Sequence, residues 1–288
     1  MKPSQQRALL TTLLTTVCGG LLFVSDASAA PAKDPIKAPE EIQAKGKLTF
    51  CSDLENPPAE GMASDGKTPV GAAVDIMKAL GDEMGVKSQI DNYQFSGIFA
   101  ALDTGKCDLI IASLGNTPER AQRYWMVDYW RVNTALLVPK GNPLHLASYE
   151  DLSGRSVAAL LGSRNAGLIK QISDKLVSEN KKPIEQVLLG TNVAAFQNLG
   201  LKRVDAFASD SLVINYYLSK GRSRFELVGV PVPPKTWSIA ITKANVALKD
   251  AVQASIDRMN SDGQMAAITK KWGIEDGVGL CSSAHSCE

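Results

Sequence analysis

The stretch Asp108-Leu-Ile-Ile-Ala-Ser-Leu-Gly-Asn-Thr-Pro-Glu-Arg120 decides the reading of this chain. Its apolar run is of strand length. It breaks at Ser113-Leu-Gly-Asn116 and opens a helix, with Thr117 as N-cap and Pro118 at the first helical position. A strand that ends in a small-residue turn and feeds a capped helix gathers backbone N–H groups and the positive end of a helix dipole in one place. Arg120, three residues past the cap, adds a guanidinium on the first turn. The segment reads as a grip for a carboxylate.

Working outward, strands are predicted at 47–51, 86–93 and 108–112, with helices at 72–84 and 97–102 between them. The pattern then restarts, with strands at 156–161, 184–189 and 204–208. Helices follow at 166–177, at 193–200 capped by Thr191 or Asn192, and at 210–219 with Asp210 at its start. The same element order twice predicts two α/β lobes, each a mainly parallel sheet flanked by helices. The run 132–138 is expected to be one apolar strand. Prolines cluster at 138–143 and 230–235, the natural places for two hinge crossings. Lobe 1 is then 47–140 plus 233–276, lobe 2 is 141–232, and 277–288 is a tail. Residues 237–242 give lobe 1 a further strand, and 246–272 give it two helices broken at Ser261-Asp-Gly263. Two lobes joined by two crossings make a clamshell, and small ligands bind in such clefts.

Residues 1–29 read as a signal peptide. Lys2 and Arg7 form a positive start, an apolar Thr-rich run follows, and Ala27-Ser28-Ala29 is a small-x-small cleavage site. A soluble, exported, periplasmic protein is expected, with residues 30–46 as a leader. The chain is nearly balanced, with 31 Lys+Arg against 30 Asp+Glu, which argues against nucleic acid as a partner. Beyond Cys18, the four cysteines Cys51, Cys107, Cys281 and Cys287 fit two disulfides in an oxidising compartment, with three pairings open. Cys281 and Cys287 are close enough to pair locally. Cys51 and Cys107 flank strands that would bridge if adjacent, although free buried thiols remain an alternative. With two histidines and no CxxC, no metal or other cofactor is expected.

A set of ordered motifs now carries a family resemblance. They are Pro57-Pro58 with Asp65-Gly-Lys67, Val70-Gly-Ala-Ala-Val-Asp75, Phe95-Ser-Gly97, Ala101-Leu-Asp-Thr-Gly-Lys-Cys-Asp108, Thr117-Pro-Glu-Arg120, Asp151-Leu-Ser-Gly-Arg155, Arg203-Val-Asp205 and Lys271-Trp-Gly273. In this order they resemble a type II periplasmic solute-binding protein of polar amino-acid ABC importers. The resemblance implies a monomeric receptor that hands an amino acid or related zwitterion to a membrane permease. It implies that Arg120 forks onto the ligand α-carboxylate, supported by backbone groups of Ser113, Gly115 and Arg164. Asp210, on the other lobe, would take the α-ammonium.

Several positions depart from the family pattern. Asn56 and Ala59 stand where aromatics usually flank the prolines, leaving Phe95 as the main aromatic, with Trp237 a possible contributor. Gly115 replaces a hydroxyl residue, and Arg164 replaces a small one. Asp53 and Glu55 are acidic loop residues toward the presumed side-chain end of the ligand, and Trp125, Tyr129 and Trp130 are expected to pack beneath the site. The rival class is a lyase of cyclohexadienyl dehydratase type on the same scaffold, with Glu55 or Glu60 as general acid.

Overall fold

The structure is a computed structural model that describes residues 36–221, 223–229, 234–284 and 287. The predicted signal peptide and leader residues 30–35 lie outside the described residues. The chain begins with helix α1 (Glu40–Lys45) and strand β1 (Lys47–Ser52), then a small hairpin of β2 (Gly61–Met62) and β3 (Pro69–Val70). Helix α2 (Ala72–Glu83), β4 (Lys87–Asn92), α3 (Ile98–Asp103) and β5 (Leu109–Ile110) complete the first α/β run. Helix α4 (Pro118–Arg123) leads into β6 (Tyr124–Val132).

The second run holds β7 (Thr134–Pro139), β8 (Ser156–Leu160), α5 (Arg164–Ser178) and β9 (Glu185–Leu189). Helix α6 (Asn192–Gly200), β10 (Ala206–Asp210), α7 (Ser211–Gly221) and β11 (Phe225–Gly229) follow. The chain closes with β12 (Lys235–Thr242), α8 (Val246–Ser261), α9 (Gln264–Lys271) and β13 (Gly279–Leu280).

The strands form two sheets, ordered β13-β6-β12-β5-β1-β4 and β11-β7-β10-β8-β9. Each has a parallel core of three strands, β5-β1-β4 and β10-β8-β9. The strands next to the crossings are antiparallel, so both sheets are mixed. A strand that has just crossed between lobes re-enters its sheet from the opposite end, which reverses its direction.

The first crossing corrects the expected lobe boundary. The run 132–138 is two strands that part at Asn133: β6 ends in the first sheet and β7 pairs only in the second. The break falls on one exposed polar residue, Asn133, between buried Val132 and the buried run that starts at Thr134, so the flanking burial reads as a single strand. The second sheet therefore begins at Thr134, before the expected start at 141. The return crossing, between β11 and β12, lies largely outside the described residues. Strand β6 is nine residues long, and its segment 124–131 carried no strand expectation. It runs antiparallel to β12 along almost its whole length, with Tyr129 and Trp130 buried beside Trp237 in the first core.

Local signals were otherwise obeyed. Thr117 caps α4 by accepting from the Arg120 N–H, with Pro118 at the first helical position. Thr191, rather than Asn192, caps α6. Strand β5 is only two residues long, because Ser113 turns into the left-handed region at φ 49°.

Both disulfides, Cys51–Cys107 and Cys281–Cys287, are formed. The first joins the end of β1 to the residue pair that leads into β5, closing a loop with a sequence separation of 56. Opening such a loop in the unfolded chain should cost about 2–4 kcal/mol of stability. Replacing Cys51 and Cys107 together by Ala is expected to lower the unfolding free energy by that amount, read as a lower urea midpoint. An unchanged midpoint would refute a stabilising role for this bridge.

Candidate functional site

The two sheets meet with the C-terminal ends of β5 and β10 facing one another. From the first lobe come the turn after β5 and the loop after β1; from the second come the ends of β8 and β10 and the starts of α5 and α6. Asn56, Phe95, Ala112, Ser113, Gly115, Ser163, Arg164, Asn165, Asn192, Ser209 and Asp210 are among the residues lining the cavity between them, about 20 Å³ in volume. That is room for about one water molecule.

Asp210 is the hub. It is the last residue of β10, not the first of the helix as expected, and it is buried. Its Oδ1 accepts from Arg164 Nη2 at 2.6 Å and from Asn165 Nδ2 at 3.0 Å. Its Oδ2 accepts from the indole N–H of Trp237, across the lobes, at 2.6 Å. Arg164 Nη2 also donates to Thr134 Oγ1 at 2.8 Å. Three donors on two oxygens leave this carboxylate well paired, as burial of a charge requires.

Arg164 reaches Asp210 through the space left by Gly115. A Cβ on Gly115 would lie 2.8 Å from Arg164 Cδ, closer than packed carbons come. The missing hydroxyl at 115 and the unusual arginine at 164 are thus one structural fact. Arg164 Nε and Asn192 Oδ1 are both buried without a hydrogen-bond partner, and both residues line the cavity.

Ser113 presents its N–H and hydroxyl to a carboxylate, but the carboxylate is Glu60. Ser113 N donates to Glu60 Oε1 at 2.8 Å and Ser113 Oγ to Oε2 at 2.6 Å. Gly71 makes this approach possible: at φ 142° it packs so closely that any Cβ would collide with the Ala59 carbonyl, next to Glu60. Burial pushes Glu60 up to about 8, against the lowering pull of its Ser113 hydrogen bonds. Burial likewise pushes Asp53 up to about 7, with the neighbouring Glu55 charge adding to it. Asp53 does not line the cavity; it stands behind Asn56, whose amide donates to the Asp53 carbonyl at 3.2 Å. Asn56 in turn accepts from Asn192 Nδ2 across the lobes at 2.6 Å.

Arg120, which the resemblance gives to the ligand α-carboxylate, is held by carbonyls of both lobes. Its guanidinium donates to the Gly115 carbonyl at 2.7 Å and, across the lobes, to the Gly162 carbonyl at 3.0 Å. It lies over the rings of Phe95 and Phe99, at 5.7 and 5.3 Å, at the mouth of the cleft rather than on the cavity wall. The reason is steric and electrostatic: Arg164 already occupies the interior, and its charge repels a second guanidinium. Burial, then that repulsion, lowers Arg120 to about 10.

So Ser113, Gly115, Phe95, Arg164, Asn56 and Asp210 converge on one cavity, while Arg120 and Asp53 stand one layer away. Asn165, Thr134 and the Asn56–Asn192 pair were not expected. Asn192 carried only a capping signal, and nothing in the sequence marked Thr134. Trp237 was noted as an aromatic; its N–H bond to Asp210 was not. Trp125 lies under Lys243, at 3.9 Å, away from the cleft.

Two mixed α/β sheets, two crossings and a polar cleft define the fold of type II periplasmic binding proteins. The chain belongs to the bacterial extracellular solute-binding proteins, family 3, whose family model matches residues 48–275. It is 30% identical to the ABC transporter glutamine-binding protein GlnH of Bacillus subtilis, over 93% of this chain and 95% of that one. Among solved structures it is similar to an ancestral arginine-binding protein bound to arginine, at 29% identity and TM-score 0.73, covering 79% of this chain and 98% of that chain. It is similar also to the ancestral amino acid-binding protein AncCDT-1, a precursor of cyclohexadienyl dehydratase, at 28% identity and TM-score 0.72, covering 81% and 97%.

Glu60 and Asp53 both bind protons more readily in the folded chain than as free side chains, whose ordinary values are 4.5 and 3.8. The folded state therefore holds more protons than the unfolded one across the range from about 4 to 8, and stability falls as pH rises through it. The thermal midpoint is expected to drop between pH 5 and pH 8, and Glu60→Gln to flatten part of that drop. A slope unchanged in the variant would contradict the buried, protonated Glu60.

Proposed function

We propose that this chain is the substrate-binding receptor of an ABC importer, acting in the periplasm. It binds an amino acid or related zwitterion between its lobes and delivers it to a membrane permease. The observation that carries this reading is the cleft itself. A polar cavity lies at the carboxyl ends of parallel strands, with a buried carboxylate on one lobe facing the Ser113–Gly115 turn of the other. The family membership and the binding names of the relatives point the same way.

Among the described residues, three direct bonds join the lobes at the cleft: Trp237 to Asp210, Asn192 to Asn56 and Arg120 to Gly162. A ligand that replaces or adds to these contacts gains affinity for the closed form only, which is what couples binding to closure. In this reading the ligand ammonium is taken by Asp210 and its carboxylate by the turn from Ser113 to Gly115, with Arg120 adding positive charge at the mouth.

The protein is read as a receptor rather than a lyase. Glu60, the best-placed acid, already has both oxygens engaged by Ser113, and its side chain is fully buried. A general acid must instead reach the substrate.

Thermal unfolding with a panel of amino acids tests the reading. A ligand at one hundred times its Kd should stabilise the wild type by about 2.7 kcal/mol. Asp210→Ala is expected to remove that gain. A panel in which no member raises the midpoint, or turnover of prephenate or arogenate, would overturn it.

A further inference from the structure

Arg164 is the feature that the receptor reading leaves unexplained. Its side chain is about 10% exposed, it is ion-paired to Asp210 at 2.6 Å, and its Nε–H, packed against Gly115, is buried without a hydrogen-bond partner. The guanidinium therefore occupies the place on Asp210 that a ligand ammonium would take. The cavity beside Asp210, about 20 Å³, is far smaller than an amino acid, so a ligand reaches Asp210 only when the interlobe bonds part and Arg164 leaves it.

The charge balance then constrains the ligand. Two guanidinia serve the cleft: Arg164 on the cavity wall, and Arg120 bound to the Gly115 carbonyl that borders it. Among the described residues, Asp210 is the one acidic residue that lines the cavity. Glu60 does not line it, and both of its oxygens are held by Ser113, so it offers no acceptor to a ligand there. A simple zwitterion would seat its ammonium on Asp210 and its carboxylate near Arg120, leaving Arg164 buried and unpaired. Stranding a buried charge in this way is among the largest penalties a site can carry.

Resting on the receptor reading, we propose that Arg164 is the specificity-determining residue of the cleft, and that the ligand is an amino acid with a second carboxylate, of net charge −1. Its ammonium displaces Arg164 from Asp210, and its side-chain carboxylate takes the freed guanidinium, with the open Nε–H as one of the donors. Asn192, whose Oδ1 is open on the same wall, does not select for the anion; the selection comes from Arg164. Gly115 is part of the same device, because any side chain there would exclude the arginine.

Calorimetry on the full chain with two isosteric pairs tests the proposal: L-glutamate against L-glutamine, and L-aspartate against L-asparagine. The acid of at least one pair is expected to bind about tenfold or more tighter than its amide, a gap of about 1.4 kcal/mol. Arg164→Gln should abolish that preference and Arg164→Lys should retain it, a pattern that loss of folding cannot imitate. Amides binding as tightly as acids, or a preference unchanged in Arg164→Gln, would overturn the proposal. Should neither acid bind while another amino acid does, the charge rule fails and the receptor reading stands. Should no amino acid bind, both fail.

Discussion

Asp210 is a carboxylate buried between two lobes, and the rest of the cleft is arranged to keep it paired. An isolated buried carboxylate is costly, and removing one partner from a buried ion pair commonly costs about 3–5 kcal/mol. Here the partners come from both sides: Arg164 and Asn165 from the start of α5, and Trp237 from β12 of the other sheet. The same atom set therefore satisfies a charge and holds the lobes together.

Much of the architecture follows from placing these groups. The chain must cross at Asn133 so that β7 can flank β10, and Asn133 accepts the first N–H of α7 at 2.8 Å. It must return so that β12 lies between β5 and β6, which puts the Trp237 indole against Asp210. Ser113 turns left-handed at the end of β5, held by Glu60, and this opens the space in which Gly115 and Arg164 meet.

What was legible in the sequence is what local chemistry encodes. Thr117 and Pro118 announce a helix start from their own backbone needs, and the alternation of helix and strand predicts two α/β lobes. The break at Asn133 was hidden because hydropathy reports burial, and both halves of the run are buried in different sheets. The site was half legible. Ser113, Asp210 and Phe95 line the cavity. Gly115 was seen as a lost hydroxyl, but its meaning is the volume it yields to an arginine 49 positions away. The pairings of Arg164 with Asp210 and of Asn56 with Asn192 join residues far apart in the chain, and no local pattern encodes such contacts. Arg120, which the resemblance gives to the ligand carboxylate, stands at the mouth, while Arg164 fills the place inside.

The claim that Asp210 bridges the lobes is tested most directly by small-angle X-ray scattering on the wild type and on Asp210→Ala. The account predicts a larger radius of gyration in the variant, with Trp237→Phe shifted in the same direction. Superimposable curves for all three proteins would contradict it.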